Sequence, residues 1–174
     1  MGKYSAMLYA VKWSKFKLEQ LFKIQKVSNK LYKKDLSISA KFPVYSSESN
    51  NGGVMGFTNA PEFICDEKNP FYIIFGDHTK TFNIAQNSFS VMDNVKVLRP
   101  YFDDIKTGLF IISVWRKQIP NLGYARHWKV AKGINISLPV TDSGAINFDF
   151  IRLFMSEIEN DKIKHVTGYF SLTE

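Results

Sequence analysis

Cysteine is nearly absent from this 174-residue chain. The single Cys65 cannot close an internal disulfide, and zinc sites built on four cysteines are excluded. Histidine is almost as scarce: His78, His127 and His165 stand far apart, and no His-x-x-x-His, Cys-x-x-Cys or Asp-x-Asp-x-Asp-Gly pattern occurs. No metal is therefore expected. Six prolines and ten glycines do not gather into a linker that would cut the chain in two. The longest apolar runs, such as Leu109 to Ile112, are far too short to span a bilayer, and the N-terminus lacks a signal-type apolar stretch. An intracellular, soluble protein is expected. The nucleophile elbow Gly-x-Ser-x-Gly, the phosphate-cradling glycine loops and the Glu-x-Lys of metal-dependent nucleases are all missing. No residue set presents itself as an active site, and no cofactor is expected.

What the chain does have is flat rings and uneven charge. Aromatics make up 15% of it, with 15 phenylalanines, and apolar residues 45%, which excludes general disorder. A chain of this mass is expected to expose roughly 8,700 Å² when folded and to bury about 70% of its surface. The net charge of +7 is built from blocks. Residues 1–42 carry ten lysines against Glu19 and Asp35, and residues 111–132 carry Arg116, Lys117, Arg126, Lys129 and Lys132 with no acid. The two remaining blocks, 43–110 and 133–174, are each −3. Brought together, the basic blocks would make one positive face suited to a polyanion. A merely solvated lysine-rich surface has the same composition.

The pattern predicts strands over 4–11, 42–57 (two strands about an Asn-Asn-Gly-Gly turn), 70–75, 89–98, 109–115 and 134–140. Residues 13–24 read as a strand entering a short helical turn. Asp103-Asp104 suit a loop or a helix start. Asn147 or Asp149 can cap a helix to about residue 164, with Ile151, Phe154, Met155 and Ile158 at helical spacing.

Three clusters hold polar groups that can contact a ligand. Asp77-His78 in Phe-Gly-Asp-His-Thr suits either a reactive pair or a polar turn in which Asp77 satisfies backbone donors. Tyr124-Ala125-Arg126-His127-Trp128-Lys129 interleaves rings with cations. Arg forks to a guanine edge or a phosphate, and Lys neutralises a phosphate as a point charge. A buried Trp128 beside a solvated Lys129 gives the same spelling. Tyr45-Ser46-Ser47 with Asn50 and Asn51 offers short hydroxyls and amides of the kind that contact phosphates and base edges.

The order of these landmarks resembles a target recognition domain of the DNA-specificity subunits of restriction–modification systems, of Type I or the related fused and two-subunit enzymes. Trp13-Ser14-Lys15-Phe16-Lys17-Leu18 with Leu21-Phe22 is similar to the family's opening strand and turn. Phe42-Pro43-Val44-Tyr45-Ser46-Ser47 and Asn50 to Phe57 look like its paired strands. Phe75 to Thr79 with Phe89 to Leu98 match its centre, and Tyr124 to Lys129 its aromatic–basic element. Ile136 to Val140 followed by Gly144 to Phe148 resembles its boundary before a helix.

The resemblance covers residues 13–160. It implies an α/β (α+β) domain, a twisted, barrel-like mixed sheet with flanking helices and a C-terminal spacer helix. The implied division is a recognition domain over 1–145, the helix over 146–165 and a tail over 166–174. The implied function is non-catalytic recognition of double-stranded DNA in the cytoplasm, on behalf of partner methyltransferase and restriction subunits. On that reading Lys33, Lys34, Lys80, Arg116, Lys117, Arg126 and Lys129 contact phosphates or bases. Tyr45, Ser46, Ser47, Asn50, His78, Thr79, Tyr124 and His127 line the rim or reach base edges. Phe150, Ile151, Phe154 and Ile158 pair with a second specificity domain or a methyltransferase, or else pack on the domain's own sheet. A protein–protein assembly module with an incidental basic surface, and a small nuclease with an unrecognised site, are the competing classes.

Overall fold

The computed structural model describes residues 2–123 and 125–170, with side chains through residue 167. The chain begins with helix α1 (Lys3–Tyr9), strand β1 (Lys12–Phe16), one helical turn α2 (Leu18–Leu21) and β2 (Phe22–Ile24). A long irregular stretch with a 3-10 turn at Lys33–Asp35 leads to β3 (Phe42–Tyr45). A second 3-10 turn at Asn50–Gly53 leads to β4 (Val54–Thr58). Then come β5 (Tyr72–Gly76), β6 (Thr81–Ala85), β7 (Ser90–Val91) and β8 (Val95–Pro100). Helices α3 (Ile105–Gln118) and α4 (Trp128–Ala131), strand β9 (Ile136–Val140) and the long helix α5 (Phe148–Phe170) complete the chain.

The middle layer is an antiparallel sheet in the order β2-β8-β5-β6. Tyr72-Ile73-Ile74-Phe75 is apolar without a break because β5 is buried on both faces. Ile73 and Phe75 turn to one core, with Leu98, Phe110, Trp115, Ile151 and Phe154. Tyr72 and Ile74 turn to the other, with Tyr45, Phe89, Val91 and Val97. The first core is covered by α3, α5 and the β1-β9 pair, the second by the small sheet β4-β3-β7, in which β3 and β7 run parallel. The domain is therefore a mixed α/β assembly of three sheets with a C-terminal helix, and the sheets do not close into a barrel.

Three elements differ from the sequence expectation. Residues 4–11, expected as a strand, instead lie in α1 as far as Tyr9 and in the turn that follows it. Its Tyr4 lies edge-on to Phe154, 5.9 Å between centroids, and Lys3 pairs with Glu157 at 2.6 Å. Residues 109–115, expected as a buried strand, lie inside α3. Asp104 caps that helix, accepting the N–H of Thr107 at 2.9 Å and its hydroxyl at 2.6 Å. Thr107, Phe110, Ile111 and Trp115 then fall on one buried face at helical spacing. The stretch 89–98 is also two strands rather than one, broken at Asp93-Asn94, where Asn94 takes φ 60°. Helix α5 starts as expected, with the Asn147 carboxamide oxygen accepting the Phe150 N–H at 3.0 Å, and continues past 164 to Phe170. Residues 171–174 of the expected tail lie outside the described residues.

Candidate nucleic-acid interface

The register of the middle sheet decides where the polar loops go. Gly76, the last residue of β5, is level with both Thr81, the first of β6, and Val95, the first of β8. The loops 77–80 and 92–94 therefore emerge at the same end of the sheet. β3 and β7 finish there too, since Met92 N–H donates to the Tyr45 carbonyl at 2.8 Å, which brings in the loop 46–53. Leu31 N–H donates to the Val91 carbonyl at 3.1 Å and anchors the basic segment that carries Lys30, Lys33 and Lys34.

Asp77, buried at this end, ties a fourth loop into the group. Its N–H donates to the Asn94 carbonyl at 2.9 Å, and its carboxylate accepts the Trp128 N–H at 2.7 Å. The backbone N–H of His127 donates to the Asp77 carbonyl at 3.0 Å. The His127 ring, 2% exposed, accepts the Leu122 N–H on Nε2 at 3.1 Å, so its proton sits on Nδ1 and points to the Asp77 carbonyl, also 3.0 Å away. Asp77-His78 is thus the polar turn rather than a reactive pair, and His127 is a loop anchor rather than a base-edge contact. Both side chains are consumed by the backbone they hold.

A hydroxyl cluster joins the 46–53 and 77–80 loops. The His78 N–H donates to the Ser47 hydroxyl at 3.0 Å, and the Thr79 hydroxyl donates to the Ser47 carbonyl at 2.6 Å. The Thr81 hydroxyl lies 2.8 Å from that of Thr79. His78, Thr79 and Asn50 are exposed, and Ser47 is half-buried. Thr81 escaped the sequence reading because nothing local distinguishes it from any other strand threonine. Asn94 escaped because its turn was read as strand, although an Asp-Asn pair is itself a turn signal.

The cations divide into free and engaged. Lys33, Lys34, Arg116, Lys117, Arg126 and Lys129 are exposed and form no ion pair among the described residues. Arg116 and Lys117 end α3, where they also suit the helix dipole. Lys80 is corrected: its ammonium donates to the Ile119 carbonyl at 3.0 Å, capping the chain just after α3. Lys30 is paired with Asp93 at 2.6 Å. That bond, the Asn94 N–H and the Arg126 charge hold the Asp93 carboxyl below the usual range. Tyr45 and Ser46 are buried and also corrected. Tyr45 packs edge-on to Phe89, and burial pushes its phenol up. Ser46 closes the 46–53 loop by donating its N–H to the Gly53 carbonyl at 2.8 Å. Tyr124 lies outside the described residues.

Of the four apolar side chains assigned to a partner, Ile151 and Phe154 are buried in this domain's own core, and Phe150 and Ile158 pack against it. Among the described side chains of α5, the large apolar ones that are exposed are instead Leu153, Ile163 and Val166, at 57%, 54% and 54%. Among the described residues no three His, Cys, Asp or Glu side chains come together, and no helix is long and apolar enough to cross a membrane.

Residues 10–167 match the family model described as the Type I restriction modification DNA specificity domain. No curated protein matches the sequence. Among solved structures, the fold is similar to the S subunit of a Type I restriction–modification system from M. genitalium, with a TM-score of 0.62 and 13% identity over 93% of this chain. It is similar also to the HsdS subunit from Thermoanaerobacter tengcongensis, with a TM-score of 0.61 and 11% identity over 94% of the chain. A third structure, from work on complex assembly and conformational transition of the Type I system, gives a TM-score of 0.63 and 10% identity over 98%. The chain spans 42%, 44% and 47% of the lengths of these three.

Proposed function

Because the chain belongs to the Type I restriction–modification DNA specificity domain family, we propose that it is a double-stranded DNA-recognition module, without chemistry of its own, that directs partner methyltransferase and restriction subunits to a target sequence. The observation that carries this reading is the convergence of four loops and the basic segment on one end of the middle sheet. There, free cations surround a rim of hydroxyls and amides pinned by Asp77. Phosphate contacts from Lys33, Lys34, Arg126 and Lys129, with Arg116 and Lys117 alongside, position the duplex; Ser47, Asn50, His78 and Thr79 are placed to read base edges. The exposed Ile163 and Val166 of α5, one turn apart, form the face on which a second specificity domain packs.

The salt dependence of duplex binding tests the rim. Each lost phosphate contact lowers the log–log salt slope by about 0.9, so Lys33→Ala with Arg126→Ala lowers it by about 1.8. Lys15→Ala with Lys17→Ala, on β1 and its following residue, leaves the slope unchanged. Equal effects of the two pairs would refute a localised rim.

A further inference from the structure

The opposite end of the middle sheet carries a second cationic site. β8 leaves the rim at Val95 and ends at Pro100, five residue steps or roughly 17 Å away. Near that end Arg99 is half-buried and lines an open cleft of about 400 Å³ with Lys68, Asn69, Pro70, Tyr101 and Asp103. Its Nη1 donates to the Asn69 carboxamide oxygen at 3.2 Å, while its Nε–H is buried and has no partner. No carboxylate pairs with this guanidinium among the described residues; Asp103 shares the cleft but stands beyond ion-pair reach.

The surroundings raise the positive charge further. The strand register sets Lys23 of β2 directly opposite Arg99 of β8, a cross-strand pair of like charges, which is a destabilising arrangement. Lys68 adds a third cation from a turn that is firmly built. The Asp66 carboxylate is taken up there by the N–H groups of Lys68 and Asn69, at 3.0 and 2.8 Å. A half-buried guanidinium with an orphaned N–H and two cationic neighbours is costly unless an anion completes it.

We propose that this cleft binds a phosphate group, gripped by the Arg99 fork with Lys68 as a point charge and Tyr101 flanking it. The planar Arg99 fork and the Lys68 ammonium, on the same cleft wall, together match the several oxygens of a phosphate. The phosphate comes either from a free phosphate or from a duplex backbone passing this end of the domain.

The test is NMR titration of the isotope-labelled chain with inorganic phosphate, against chloride at matched ionic strength. Saturable shifts confined to the Arg99 Nε–H and the amides of 68–69 and 99–103, weakened tenfold or more in Arg99→Gln or Lys68→Gln, support the site. Non-saturating shifts, or shifts equal in wild type and both variants, overturn it. A duplex salt titration of Arg99→Gln then separates the sources. A slope lowered by about 0.9 assigns the phosphate to DNA, and an unchanged slope assigns it to the free ion. The phosphate titration contains no DNA, so its failure leaves the loop rim untouched.

Discussion

Asp77 and His127 show how two side chains with reactive reputations are spent on architecture. They stand fifty residues apart, and every bond they form is to backbone: the Asp77 carboxylate to the Trp128 N–H, the His127 Nε2 to the Leu122 N–H. Asp77→Ala strands the Trp128 N–H and is expected to cost about 1–3 kcal/mol, read by urea denaturation. Duplex binding should weaken as well, because the 122–128 loop loses its anchor. Asp104 works likewise at the start of α3. Burial by itself would raise its carboxyl, but the Thr107 hydroxyl and N–H, the Lys106 N–H and Arg152 outweigh it and hold the group below the ordinary carboxylate value. The unfolded chain therefore takes up this proton more readily. The contribution is complete above the unfolded value of about 3.8 and is lost as pH falls through the lower folded value. Asp104→Ala should cost about 1 kcal/mol at neutral pH, with the difference from wild type shrinking when denaturation is repeated at the acid end.

At the scale of elements, what was legible depended on whether the information was local. β5 shows as an unbroken apolar run, β3 and β4 are bracketed by the Asn-Asn-Gly-Gly turn, and α5 is announced by Asn147 and the spacing of Ile151, Phe154 and Ile158. Residues 109–115 misled because a fully buried helix face and a buried strand spell the same short apolar run. The deciding signal was Asp104 with its Thr107 partner. The candidate site was legible in composition but not in assignment. Lys33, Lys34, Arg126 and Lys129 are exposed, whereas Lys80 and His127 are held by partners far off in sequence, Ile119 and Asp77. Gly76 shows how tightly the loops meet: a Cβ there would stand 2.5 Å from the Thr81 hydroxyl, 3.0 Å from that of Thr79 and 3.1 Å from that of Ser47. Gly76→Ala should force the 46–53 and 77–80 loops apart and weaken duplex binding about tenfold, or 1.4 kcal/mol. Gly133→Ala, whose new carbon meets nothing closer than 3.6 Å, should leave binding unchanged. Anisotropy titrations at fixed salt compare the two, with circular dichroism confirming that both fold.

For the whole molecule, the accessible surface of 10,724 Å² exceeds the roughly 8,700 Å² expected of a compact chain of this mass. Much of α5 beyond Ile158 is exposed, which contributes to the excess and leaves Ile163 and Val166 uncovered. The polarity of the domain follows from sheet register: free cations and hydroxyls at one end of β5, and the Arg99 cleft at the other. Whether the loop end reads sequence is decided by selection and sequencing from a random-duplex pool by this chain at about 50 and about 200 mM salt. A short motif of a few base pairs is expected to persist at the higher salt and to degrade when Asn50 or Arg126 is replaced by Ala. Binding that enriches no sequence and vanishes at the higher salt, as counterion release alone would give, would contradict that expectation.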